Sequence, residues 1–74
     1  MIDELELVAL TRAAPEHKLA AGDVGTVVLV HGSGRGYTVE FATIRGSTIG
    51  VVTLEAGDIR PITDREIAHA RQVA

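Results

Sequence analysis

The stretch "VGTVVLVHGSGRGYTVEF", from Val24 to Phe41, leaves few folds open. Two runs rich in β-branched and aromatic residues flank Gly32, Gly34 and Gly36. A helix through those glycines would lose about 1 kcal/mol at each relative to alanine. Strands joined by a glycine-rich tip form a hairpin instead. Tyr37, Val39 and Phe41 fall on one face of the second strand, Thr38 and Glu40 on the other. The first run is apolar on both parities: Val27 and Leu29 against Val24, Val28 and Val30. That pattern predicts a long bent strand shared by both halves of a small barrel, with Gly25 permitting the bend or a close backbone approach.

The flanking sequence repeats this grammar. "LELVALTR" (Leu5 to Arg12) reads as a first strand, with Leu5, Leu7 and Ala9 on one face and Val8 and Leu10 on the other. "AAPEHKLAAGD" is a long connection in which Pro15 sets its own φ, Leu19 is the expected core anchor, and Gly22-Asp23 marks a turn. "IRGSTIGVVTL" reads as a further strand entered through a tight turn at Arg45-Gly46-Ser47. "EAGDIRPI" reads as a short 3₁₀ turn and a last strand near Ile59 to Ile62, with Glu55 and Asp58 placed to accept backbone N–H bonds. The pattern predicts a mainly β fold: a small closed or nearly closed five-stranded barrel over residues 1–62.

The period changes at "ITDREIAHARQVA". Thr63 and Glu66 have capping-box spacing, and Ile62 and Ile67 have the spacing of a hydrophobic staple. Ile67, Ala70 and Ala74 would share one helical face. A short C-terminal α-helix over 63–74 is therefore expected, packed on its own barrel or docked on a partner.

Composition narrows the function. The 74-residue chain contains no cysteine, so neither disulfides nor thiolate chemistry is available. Its formal net charge is −3. Lys18 is the sole lysine and six arginines are dispersed, whereas nucleic-acid binders draw affinity from clustered basic residues. Acidic residues stand in "MIDELELVAL" where a secretory leader would carry lysines. No apolar run approaches the roughly 20 residues of a membrane helix. A cytoplasmic protein without membrane or nucleic-acid partners is the expectation.

The candidate chemistry is thin. Phosphate loops need a helix N-terminus directly after their glycines; a strand follows "GSGRG". His17, His31 and His69 lie far apart, so no metal site is expected. Ser33 and Ser47 sit in glycine turns with no histidine beside them, and no catalytic set is apparent. No cofactor is expected. Tyr37 and Phe41 share a face with Val39 and read as core rather than as a base-stacking platform.

"AGDVGTVVLV", "YTVEF" and "TLEAGDIRPI" together resemble a family of short, uncharacterised bacterial proteins known only as a domain of unknown function. The resemblance rests on Pro15-Glu16-His17, on Gly22 through Val27, on Tyr37 through Phe41, and on Leu54 leading to Ile59-Arg60-Pro61. It covers about Ile2 to Ile62. Lys18 stands where such chains often carry glycine. The resemblance implies an SH3-like barrel, no established activity, and a pairing with another small protein in the manner of an antitoxin and its toxin. "GDVGTVV" is also similar to the KOW motif of ribosomal and transcription-factor barrels.

These readings lead to a non-enzymatic module that binds another protein, one encoded by a neighbouring gene, through a strand edge or the groove beside the long loop. The expected contact residues are Glu16, His17, Lys18, Arg35, Arg65, His69 and Arg71. The alternative is a KOW-like nucleic-acid module using Arg35, Arg45, Arg60 and Tyr37. A homo-oligomer building a site between subunits is a third arrangement.

Overall fold

A computed structural model describes residues 2–73. It contains five strands: β1 (Leu7–Leu10), β2 (Val24–His31), β3 (Gly36–Ala42), β4 (Thr48–Glu55) and β5 (Ile59–Pro61). Short 3₁₀ turns occupy Pro15–His17 and Ala56–Asp58. The strands form one antiparallel sheet in the order β4-β3-β2-β1-β5. This is consistent with an SH3-like fold.

Alternation builds the core. Tyr37, Val39 and Phe41 all point inward and are buried, as their shared parity predicts. They meet Val8 and Leu10 of β1, Val27 of β2, Val52 of β4 and Ile59 of β5. Leu19 closes one side of this cluster as the expected loop anchor, its backbone bridged to Ala14. The Tyr37 hydroxyl accepts a hydrogen bond from the Ile2 amide at 3.4 Å, so the ring's polar end is satisfied where it is buried.

A β-bulge explains why β2 is apolar on both parities. Val27 pairs with Val39, yet Leu29 pairs with Thr38, leaving Val28 as the extra residue. The inward parity is thereby switched: Gly25 and Val27 face the core before the bulge, and Val30 packs against it afterwards. Gly25 is required by close approach. A Cβ there would lie 2.6 Å from Val39 Cγ1 and 2.9 Å from both the Glu40 carbonyl oxygen and Phe41 Cε1.

The hairpin tip bears out the geometric role of the glycines. Gly32, Ser33 and Gly34 all have positive φ, and β3 begins directly at Gly36.

Four expectations are corrected. The sheet does not close into a barrel, because β4 and β5 remain its two ends. β5 is only three residues long and finishes in Pro61, which has no N–H to extend a ladder. Leu5 lies outside β1, in a turn with φ 72°, and its N–H bonds the Val27 carbonyl at 2.6 Å.

The C-terminal α-helix is not seen: no residue from Ile62 to Val73 is helical. Ala74, the last residue of the expected helical face, lies outside the described residues. The capping box forms only halfway. Glu66 accepts from the Thr63 N–H at 2.8 Å, but the Thr63 hydroxyl donates to the Glu66 carboxylate rather than receiving the Glu66 amide. The staple does not form, since Ile67 is 94% exposed. A helix this short needs a packed face to persist. Here the tail is held at both ends by ion pairs to the sheet instead.

Candidate functional site

Two arginine–carboxylate pairs build the site. Arg60 on β5 donates through both terminal nitrogens to Glu66, at 2.8 and 2.7 Å. Arg71 donates to Asp23 through Nε at 2.8 Å and through a terminal nitrogen at 2.5 Å. Each is a two-point fork of planar guanidinium on carboxylate. Arg71 also reaches the Lys18 carbonyl at 3.3 Å. The tail therefore crosses the outer face of the sheet from the β5 edge to the turn before β2.

The ionisation of these groups follows from the contacts. Hydrogen bonds from Arg60 and from the Thr63 amide lower the Glu66 pKa to about 2. Arg71 likewise lowers that of Asp23, against a partly opposing effect of burial. Asp23 has a second task, accepting from the Ala20 N–H at 2.8 Å to set the turn that feeds β2.

Between tail and sheet lies an open groove of about 1370 Å³. Leu7 and Val24 on its floor are 53% and 45% exposed, and Ile67 stands at its rim. Ala9, on the same outer face, is buried. The groove thus offers apolar surface bordered on its tail side by two ion pairs, with Glu40 and Arg45 at its other end. A second hollow of about 210 Å³, beside Leu10, Ala14 and Leu54, holds the Arg12–Asp58 ion pair (2.6 Å) and Glu16. It is smaller than the roughly 300 Å³ of a typical small-molecule pocket.

The expected contact residues separate into groups. Glu16 and His17 are exposed on the first 3₁₀ turn, and Lys18 ends it with φ 60°. Arg71 and His69 line the groove, and the Arg71 bond to Lys18 joins loop and tail into one surface. Arg65 is exposed in the turn beginning the tail. Arg35 stands apart, at the β2–β3 tip.

The residues of the nucleic-acid alternative are not brought together. Arg35 and Arg45 occupy the hairpin tips at opposite ends of β3, Arg60 is engaged by Glu66, and Tyr37 is buried.

Asp23, Leu7 and Val24 were not legible as site residues. Asp23 and Arg71 are 48 positions apart, and no spacing rule links them.

One contact has the look of a base and a nucleophile. His31 Nε2 lies 2.7 Å from Thr38 Oγ1, which lies 3.1 Å from Thr53 Oγ1. All three are on the solvent face of neighbouring strands. No carboxylate among the described residues bonds the ring to orient it, as hydroxyl activation requires. The row reads as polar cross-strand pairing.

Fold and groove together define a small antiparallel β-domain with an open outer face rather than an enclosed pocket. Residues 4–61 match the domain of unknown function DUF4926, and the chain belongs to that family. The match ends where the tail begins to leave β5. No curated protein and no solved structure matches the chain. No helix among the described residues is long and apolar enough to cross a membrane.

Proposed function

We propose that this chain is a non-enzymatic module that binds a partner protein across the outer-face groove, between the sheet and the tail, with the Pro15–Lys18 loop beside it. The observation that carries this reading is the groove's composition. On its tail side the ionic groups pair off as Arg60–Glu66 and Arg71–Asp23, while Leu7, Val24 and Ile67 stay exposed. Such a surface gains from being covered by another apolar surface. Reaction chemistry would call instead for a free base, acid or nucleophile in an enclosed site. The partner is another small protein, encoded beside this chain's gene in the manner of an antitoxin's target, and the setting is the cytoplasm. Lys18, Arg65 and His69 supply polar contacts at the rim.

Co-expression with the product of the adjacent gene tests the reading. A complex is expected, with the wild-type amides of Leu7, Val24 and Ile67 protected from hydrogen exchange. Val24→Asp should abolish the complex while leaving the fold intact. Absence of a complex, or protection confined to other surfaces, overturns it.

A further inference from the structure

The two ends of the sheet are built differently. β5 is guarded: three residues long, with Arg60 in its middle, Pro61 at its end and the tail leaving beside it. Natural proteins blunt edges with such devices to prevent strand-to-strand association. β4 has almost none of them. It is eight residues long, contains neither lysine nor proline, and carries no charge before Glu55. Five of its residues are β-branched: Thr48, Ile49, Val51, Val52 and Thr53. Its backbone bonds run to β3. Among the described residues, the one further bond from its amides is that of Glu55 to the Asp58 carboxylate. Val51 and Ile49 are 59% and 36% exposed.

We propose that β4 pairs with β4 of a second copy, antiparallel about a two-fold axis at Val51, joining two sheets into one. The sequence of the strand selects this occupant. Two-fold pairing keeps each face of the joined sheet continuous only when a residue opposes one of its own parity. Val51 opposite itself meets that condition. It sets Ile49 against Thr53 in both directions and Gly50 against Val52. Glu55 then falls opposite Ser47, so no like charges meet. The neighbouring register, with Val52 on itself, keeps Val51 opposite Thr53 but sets the Glu55 carboxylate against apolar Ile49 and Gly50 against Leu54, so Ile49 loses its β-branched partner. A strand without charge up to Glu55 offers little by which a charged foreign segment could be selected; its own copy matches it residue for residue. This edge borders the outer-face groove at Ser47 and Ile49, but its centre at Val51 lies outside the groove lining, so the Val51 variants test it without touching the partner surface at Leu7, Val24 and Ile67.

Sedimentation of the purified full chain, from low micromolar to near-millimolar concentration, should show a reversible monomer–dimer equilibrium. Val51→Lys brings two ammonium groups together at the axis. It should weaken the dimer more than tenfold while leaving the circular dichroism spectrum unchanged. The native chain has no cysteine, so Val51→Cys provides a second readout that does not depend on the lysine variant folding. Opposed Cα atoms across an antiparallel pair lie about 4.5–5.5 Å apart, within disulfide reach. Mild oxidation should give a covalent dimer with Val51→Cys and not with Ile44→Cys at the exposed β3–β4 tip. A strictly monomeric wild type overturns the proposal. So does a dimer unaffected by Val51→Lys, or equal cross-linking at both cysteine positions.

Discussion

Gly25→Ala probes how tightly β2 and β3 are packed. The added methyl would sit 2.6 Å from Val39 Cγ1, 2.9 Å from Phe41 Cε1 and 2.9 Å from the Glu40 carbonyl oxygen. Carbon contacts are comfortable at about 3.5–4.0 Å, so the neighbours would have to retreat by about 1 Å. Val39 and Phe41 are buried and have little space to retreat into. The Glu40 oxygen belongs to the backbone of the adjacent strand and moves only if the ladder moves. Overpacking of this kind costs about 1–3 kcal/mol. Replacing a strand glycine returns about 0.5–1 kcal/mol by reducing the entropy of the unfolded chain. A net loss of about 1 kcal/mol remains, set against a total stability of about 4–11 kcal/mol for a chain of this length. At about 4–8 °C per kcal/mol, Tm should fall by about 4–8 °C. Gly57→Ala is the matched control, because nothing lies within 4 Å of its would-be Cβ and its φ is ordinary. Thermal and urea unfolding should show the control at or slightly above wild type. A Gly25→Ala variant melting within about 3 °C of wild type would refute the close-approach argument. So would a control destabilised equally.

Lys18→Gly should stabilise the chain by about 0.5–1 kcal/mol, because it relieves a left-handed conformation that L-residues disfavour; differential scanning calorimetry would read a rise of a few degrees. Arg71→Ala should free the tail at little cost to global stability, since the pair is partly exposed and screened; hydrogen exchange should quicken at residues near His69 and remain slow at Val39. Acid should loosen the other anchor. The Glu66 pKa is depressed from 4.5 to about 2, so its contribution is complete above the unfolded value and lost as pH falls through the folded one. Ile67 resonances followed down to about pH 1 should therefore hold steady to about pH 3 and shift as pH falls through about 2. An unchanged tail at about pH 1 would contradict the Arg60–Glu66 anchor.

Periodicity made much of the fold legible. The inward row Tyr37, Val39 and Phe41 follows from strict alternation, and Leu19 stood out as the lone large apolar residue of its loop. Pro15 and the Ala56–Asp58 segment marked their turns by residue type, and the tip glycines marked theirs. The candidate site was legible only in pieces. Lys18 and Arg71 could be named, but their meeting through the tail could not, and Leu7 looked like any strand residue. The tail misled because a capping box and staple are local signals for a helix that needs a packed face to persist. Glu66 found Arg60 instead of completing the box.

What the sequence determined by itself was therefore local: where strands run, where glycine lets the chain turn, and which side of β3 turns inward. These depend on φ/ψ preferences and on a two-residue repeat, both contained within a few neighbouring positions. Tertiary structure decided the strand order, which edges stay open, the parity switch at Val28, and the path of the tail. Each depends on contacts between distant residues, such as Arg71 with Asp23, for which sequence spacing supplies no rule.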